Sequence, residues 1–218
     1  PMILQAIKIS NKFYLNNFYR IFQTCFFSVI LVSALSAYSP NLSASSSIAS
    51  LIISTLLQVH LTCILIMVTV DIINKSKQSV INYYFKSFFY IVPLLIVGLI
   101  VGFVLILGFV AFILPGIYLL GKLIFAQYFL ILRGKSVFES IELSWQINSE
   151  KAWNLGLTIF GVVLLWGLFI SSVSSLFVND NNALEPGLIF LTSISSFIVL
   201  NIYLNTFLIH LFIIEENQ

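Results

Sequence analysis

The chain has 218 residues, of which 60% are hydrophobic and only 8% charged, and its net charge is +2. A soluble domain carries about a quarter of its residues as Asp, Glu, Lys and Arg, so a chain this poor in charge takes lipid as its main solvent. The ten Lys and Arg are scattered instead of forming a stripe, which argues against a nucleic-acid partner.

The expected class is all-α: a polytopic membrane bundle forming a single integral domain over residues 1–218. Pro1, ahead of Met2, is left out of the fold argument. Ile3 to Phe18 carries a weak amphipathic pattern and reads as an N-terminal surface helix. Runs of about 20 apolar residues then predict spans at 21–38, 48–73, 88–114, 116–132, 155–178 and 188–214. Ser33 to Ala37 has the small residues of a cleavage site, but the apolar stretch before it is nearer spanning length than a signal core, so a signal peptide is rejected. A membrane barrel would alternate apolar and polar residues, whereas these runs are apolar all round.

Phe88 to Leu132 would be one run of 45 residues but for Pro115-Gly116. That pair predicts a helical hairpin with the turn at Pro115 and Gly116 and the fourth span opening there. The connections sort by charge. Lys8, Lys12 and Arg20 precede the first span, Lys75, Lys77 and Lys86 separate the second and third, and Arg133, Lys135 and Lys151 separate the fourth and fifth. The alternate connections, Ser39 to Ser47, the Pro115 hairpin and Asn179 to Gly187, hold no Lys or Arg. The positive-inside rule places the first set, and both termini, in the cytoplasm of a bacterial inner membrane protein.

Within the third cytoplasmic connection, Ser136 and Glu139 have capping-box spacing, and Glu139, Glu142, Gln146, Ser149 and Glu150 recur on one helical face. The other surface carries Val137, Phe138, Ile141, Leu143, Trp145 and Ile147. The pattern predicts an amphipathic interfacial helix over 136–151, with Trp145 and Trp153 at headgroup depth.

The stretch Leu114 to Leu119, then Lys122, Phe125-Ala126, Tyr128 to Leu132, Ser136, Glu139-Ser140, Leu143 to Trp145 and Trp153 resembles the YciC-type inner-membrane family of enterobacteria. It is more distantly similar to the membrane domain of some glycerophosphodiester phosphodiesterases. The opening Gln5 to Phe18 and the closing Asn201 to Phe212 share the likeness, while the first outer loop is shorter than that family's. The resemblance implies a six-span inner-membrane protein and carries over no catalytic residue.

Lys122 is the sharpest candidate. It lies seven positions after Pro115, hence about 10 Å into the bilayer at 1.5 Å per residue, where a charge faces a cavity or a partner. Three readings stand: a binding cation for an anionic headgroup or carboxylate, a snorkelling side chain, or a pair within the bundle. His60 is expected at similar depth, able to meet Lys122 in a proton-coupled site or simply to hydrogen-bond between helices. Asn201 and Asn205, one helical turn apart, are read as cross-helix hydrogen bonds ahead of substrate contacts. Asp71 is expected to pair with Lys75. Gly98 and Gly102 form a GxxxG pair suited to close helix approach within or between subunits.

Cys25 and Cys63 sit singly in apolar runs with no partner at ligand spacing, so they read as inert thiols, with no metal site or disulfide. No zinc-protease, nucleophile-elbow or phosphate-loop motif is found, and no cofactor is implied. The expected function is a non-enzymatic multi-pass inner-membrane protein in envelope or lipid homeostasis. Its expected partners are membrane lipids and either a second copy or another membrane protein. The alternative is a small permease or lipid translocator built around Lys122, His60, Asn201 and Asn205.

Overall fold

A computed structural model describes residues 2–38, 44–76, 78–147, 149–175 and 186–216, and the described chain is helical throughout, without a strand. The helices are α1 (Met2–Tyr38), α2 (Ala44–Ile73), α3 (Val80–Ala111), α4 (Ile113–Leu123), α5 (Ala126–Arg133), α6 (Val137–Trp145), α7 (Ser149–Ser175), α8 (Pro186–Ser196) and α9 (Leu204–Glu216). A π-helical stretch, Phe197–Tyr203, joins α8 to α9. Six helical segments are long and apolar enough to cross a bilayer, as expected: Ile3–Ala37, Ile48–Ile73, Val80–Ala111, Ile113–Arg133, Ser149–Ser175 and Gly187–Glu215.

Three boundaries differ from expectation. The weakly amphipathic N-terminal segment is not a separate helix but the first half of a 37-residue α1. No Gly or Pro lies between Ile3 and Tyr38 to interrupt it, and Ala6, Ser10 and Ile21 bury one continuous stripe. The hairpin between third and fourth spans turns at Phe112, whose extended backbone (φ −166°, ψ 154°) caps both α3 and α4. Pro115 therefore sits in the first turn of α4, where a missing amide hydrogen costs nothing. Gly116 serves packing, since a Cβ there would run into the Phe109 ring. The Ser39 to Ser47 and Asn179 to Gly187 connections fall mostly outside the described residues.

The third difference is α6. Ser136 caps it as predicted, its hydroxyl accepting from the Glu139 amide at 3.4 Å. The helix stops at Trp145, however, and Ser149 and Glu150 belong to α7, so the predicted polar face is divided between two helices. Ser140 and Ser144 are buried with Val137 and Ile141 packed against the core, while Phe138 and Trp145 are 76% and 48% exposed; the two aromatic side chains thus face out. Lys135 reaches Glu139 at 2.6 Å, and its hydrogen bond holds the exposed Glu139 carboxyl below its usual range.

Helix α4 packs between α3 and α7, while α1 packs on α2, α8 and α9. Two apolar cores result. One gathers Phe125, Tyr128 and Phe212 with residues of α2, α3 and α7, and the other gathers Ile21, Cys25, Leu61, Leu65 and Ile202. Both cysteines are free and buried. The α4–α7 contact is made backbone to backbone. A Cβ on Gly121 would overlap the Ala152 carbonyl, and one on Gly156 would overlap the Ile117 carbonyl. Without apolar transfer to drive association in lipid, such close van der Waals approach is what holds helices together. Gly98 and Gly102, by contrast, have nothing within 4 Å of their Cβ positions. They bring no helix of this chain close.

Candidate functional site

Lys122 is 6% exposed, and of the three readings it takes the pair within the bundle. Its ammonium donates to the Trp145 carbonyl at 3.0 Å and to the Ile147 carbonyl. Its own carbonyl accepts from the Ser144 hydroxyl at 2.7 Å. The Tyr118 and Trp145 rings lie 5.8 and 6.0 Å from the ammonium, within cation–π range. The cation thus occupies the bend between α6 and α7, where helix geometry leaves carbonyls without an intrahelical donor. Counting residues from Pro115 gave its depth along α4 but could not show that the chain returns to meet it. The corner is further tied by Tyr118, whose hydroxyl bonds Ser149 at 3.1 Å and whose ring packs on Trp153.

His60 is not brought to Lys122. Its ring packs on Tyr84 and Phe88, its Nε2 lies 3.4 Å from the Tyr84 carbonyl oxygen, and it shares an apolar groove with Phe27, Leu31 and Leu56. Helices α1, α2 and α3 form that side of the bundle, whereas α4, α6 and α7 surround Lys122. A joint proton-coupled site therefore has no geometry here.

Asn201 and Asn205 each reach a different helix. Gln58 of α2 donates to Asn201 Oδ1 at 3.0 Å, and the Tyr128 hydroxyl of α5 donates to Asn205 Oδ1 at 2.8 Å. The π-helical stretch contains Asn201 and ends two residues before Asn205, changing the register between them. Beside this polar line lies a pocket of about 190 Å³ lined by Gln58, Thr62, Gln127 and apolar residues of α3 and α4. Gln58, Gln127 and Tyr128 were missed in the sequence. Gln58 and the Gln127-Tyr128 pair are polar groups set in apolar runs, a signal that marks buried hydrogen bonding without naming the partner.

Asp71 does not bond Lys75. It accepts from the Tyr83 hydroxyl at 2.9 Å, because Lys75 takes a left-handed conformation (φ 56°) that ends α2. The Ser76 amide bonds the Asp71 carbonyl and the Lys75 amide bonds the Ile72 carbonyl, which is the Schellman pattern with lysine at the glycine position. Among the described residues no three His, Cys, Asp or Glu side chains gather as metal ligands.

Six helices long and apolar enough to cross a bilayer, with many of the polar side chains inside them hydrogen-bonded to one another or to backbone, fit a multi-pass helical membrane protein, although the buried Ser10, Thr69 and Ser140 hydroxyls have no partner among the described residues. Comparison with protein-family models, with curated proteins and with solved structures finds no match to this chain.

Proposed function

We propose that the chain is a non-enzymatic multi-pass protein of a bacterial inner membrane, with both termini in the cytoplasm, related to the YciC-type family and acting in envelope or lipid homeostasis through its surfaces. The observation that carries this reading is Lys122. Its charge, the expected centre of a permease, is consumed by the Trp145 and Ile147 carbonyls. An intramembrane cation held by backbone braces a fold, while one that works on a ligand faces a cavity. The lysine-bearing connections support the orientation: Asp71, Gln78, Lys86 and Leu132 line one crevice at one end of the bundle, and Lys151 pairs with Glu215 at 2.9 Å. The outward-facing Phe138, near the start of α6, supports an interfacial position there, while Trp145 at its end lies at the depth of Lys122, whose ammonium its carbonyl accepts.

Lys122→Met tests the reading. It takes the donor from two carbonyls at the α6–α7 bend, each worth about 1–3 kcal/mol when buried and unpaired. The melting temperature in detergent should fall, while lipid retained per folded molecule stays unchanged. A variant as stable as the parent that loses bound lipid would favour the permease or lipid translocator instead.

A further inference from the structure

A crevice of about 500 Å³ opens where α2 ends, α3 begins and α5 ends, lined by Asp71, Gln78 and Lys86 together with Met67, Phe89 and Leu132. Phe89 is 83% exposed, so the mouth lies on the outer surface of the bundle. The two charges in it are not spent on each other. Asp71 Oδ2 accepts from Tyr83 and Lys86 donates to Gln78 at 2.9 Å. Neither joins an ion pair with a described residue.

An unpaired carboxylate and an unpaired ammonium at the edge of an apolar bundle mark a place where an external partner completes the pairing. The partner must carry both signs at short separation and be apolar beyond them. We propose that this crevice binds the headgroup of a zwitterionic phospholipid bearing a primary ammonium. The lipid ammonium bonds Asp71, its phosphate bonds Lys86, and its acyl chains lie along Phe89 and Leu132. A purely anionic headgroup would set its charge against Asp71, and a quaternary ammonium has no hydrogen to donate to Oδ1. This assignment rests on the bundle being embedded in a membrane and not on its role there.

The full chain, purified in detergent and offered equal phosphatidylethanolamine, phosphatidylglycerol and phosphatidylcholine, is read by native mass spectrometry. The ethanolamine lipid should be retained about fivefold over either competitor, the factor one interfacial charge supplies. Asp71→Asn should abolish the preference, whereas Lys86→Gln should lower retention of all three lipids alike, since each carries the phosphate that Lys86 bonds. Asp71→Asn keeps an acceptor for the Tyr83 hydroxyl and so spares the fold. Equal retention of the three lipids, or a preference for phosphatidylglycerol, overturns the proposal without any variant. So does an ethanolamine preference that survives Asp71→Asn, or retention that Lys86→Gln leaves unchanged. Displacement of the lipid by soluble phosphoethanolamine at equal concentration would also overturn it, since the apolar wall would then contribute nothing. A chain that stays in solution without detergent would instead overturn the membrane reading itself.

Discussion

Two kinds of glycine in this bundle should respond to alanine with opposite sign. Gly121 and Gly156 lie where α4 and α7 touch by their backbones, and a methyl on Gly121 would stand 2.9 Å from the Gly156 nitrogen, inside the 3.4 Å of ordinary contact, as well as overlapping the Ala152 carbonyl. Backbone cannot rotate aside as a side chain can, so the helices must part. Overpacking of this kind costs about 1–3 kcal/mol, against which alanine recovers about 0.5–1 kcal/mol of helix propensity. Gly121→Ala should therefore destabilise by up to about 2.5 kcal/mol, or up to about 10 °C in melting temperature for a chain of this size. Gly98 and Gly102 have open space at the same position, so Gly98→Ala should be neutral or stabilise by the propensity term alone. Thermal unfolding in one detergent, followed by circular dichroism, reads both. If Gly121→Ala and Gly98→Ala shift the midpoint in the same direction, the α4–α7 packing is wrong.

The remaining predictions concern caps, the polar line and topology. Lys75→Gly should stabilise by about 1 kcal/mol, since glycine adopts the left-handed angle without the Cβ penalty, and Gly134→Ala (φ 60° at the end of α5) should destabilise by about as much; both are read by thermal unfolding. Tyr128→Phe leaves Asn205 Oδ1 without its donor and should cost about 0.6–1.7 kcal/mol, the range found for hydrogen bonds between membrane helices. Pro115→Ala should be nearly silent, whereas Gly116→Leu should abolish stable expression by colliding with Phe109; equal effects would return the turn to Pro115. Reporter fusions at Gln78 and Gly134 should give a cytoplasmic signal and a fusion at Ser45 a periplasmic one, and a cytoplasmic signal at Ser45 would break the alternation of the spans.

What the residue string determined by itself was the number of long apolar helices. Long uninterrupted apolar runs have one stable form in lipid, because every backbone group must be bonded within its own segment. Six runs therefore became six helices long and apolar enough to cross a membrane, and Ser136 was readable as a cap because its partner amide is three residues away. Even local signals had limits. Pro115-Gly116 has strong turn chemistry, yet the turn fell at Phe112, since proline is equally at home in a first helical turn and glycine where another ring must come close.

The tertiary structure alone decided what Lys122, His60 and Asp71 touch. Lys122 meets carbonyls 23 and 25 residues further along the chain, His60 meets Tyr84, 24 residues away, and Asp71 meets Tyr83 instead of the nearer Lys75. A buried polar group takes whichever partner the packed helices deliver to it, and α4 and α7 deliver theirs only because Gly121, Ala152 and Gly156 let the two backbones touch. Ala152 and Gly156 have small-xxx-small spacing in the sequence, but which helix would face them depended on how the rest of the bundle closed around α4.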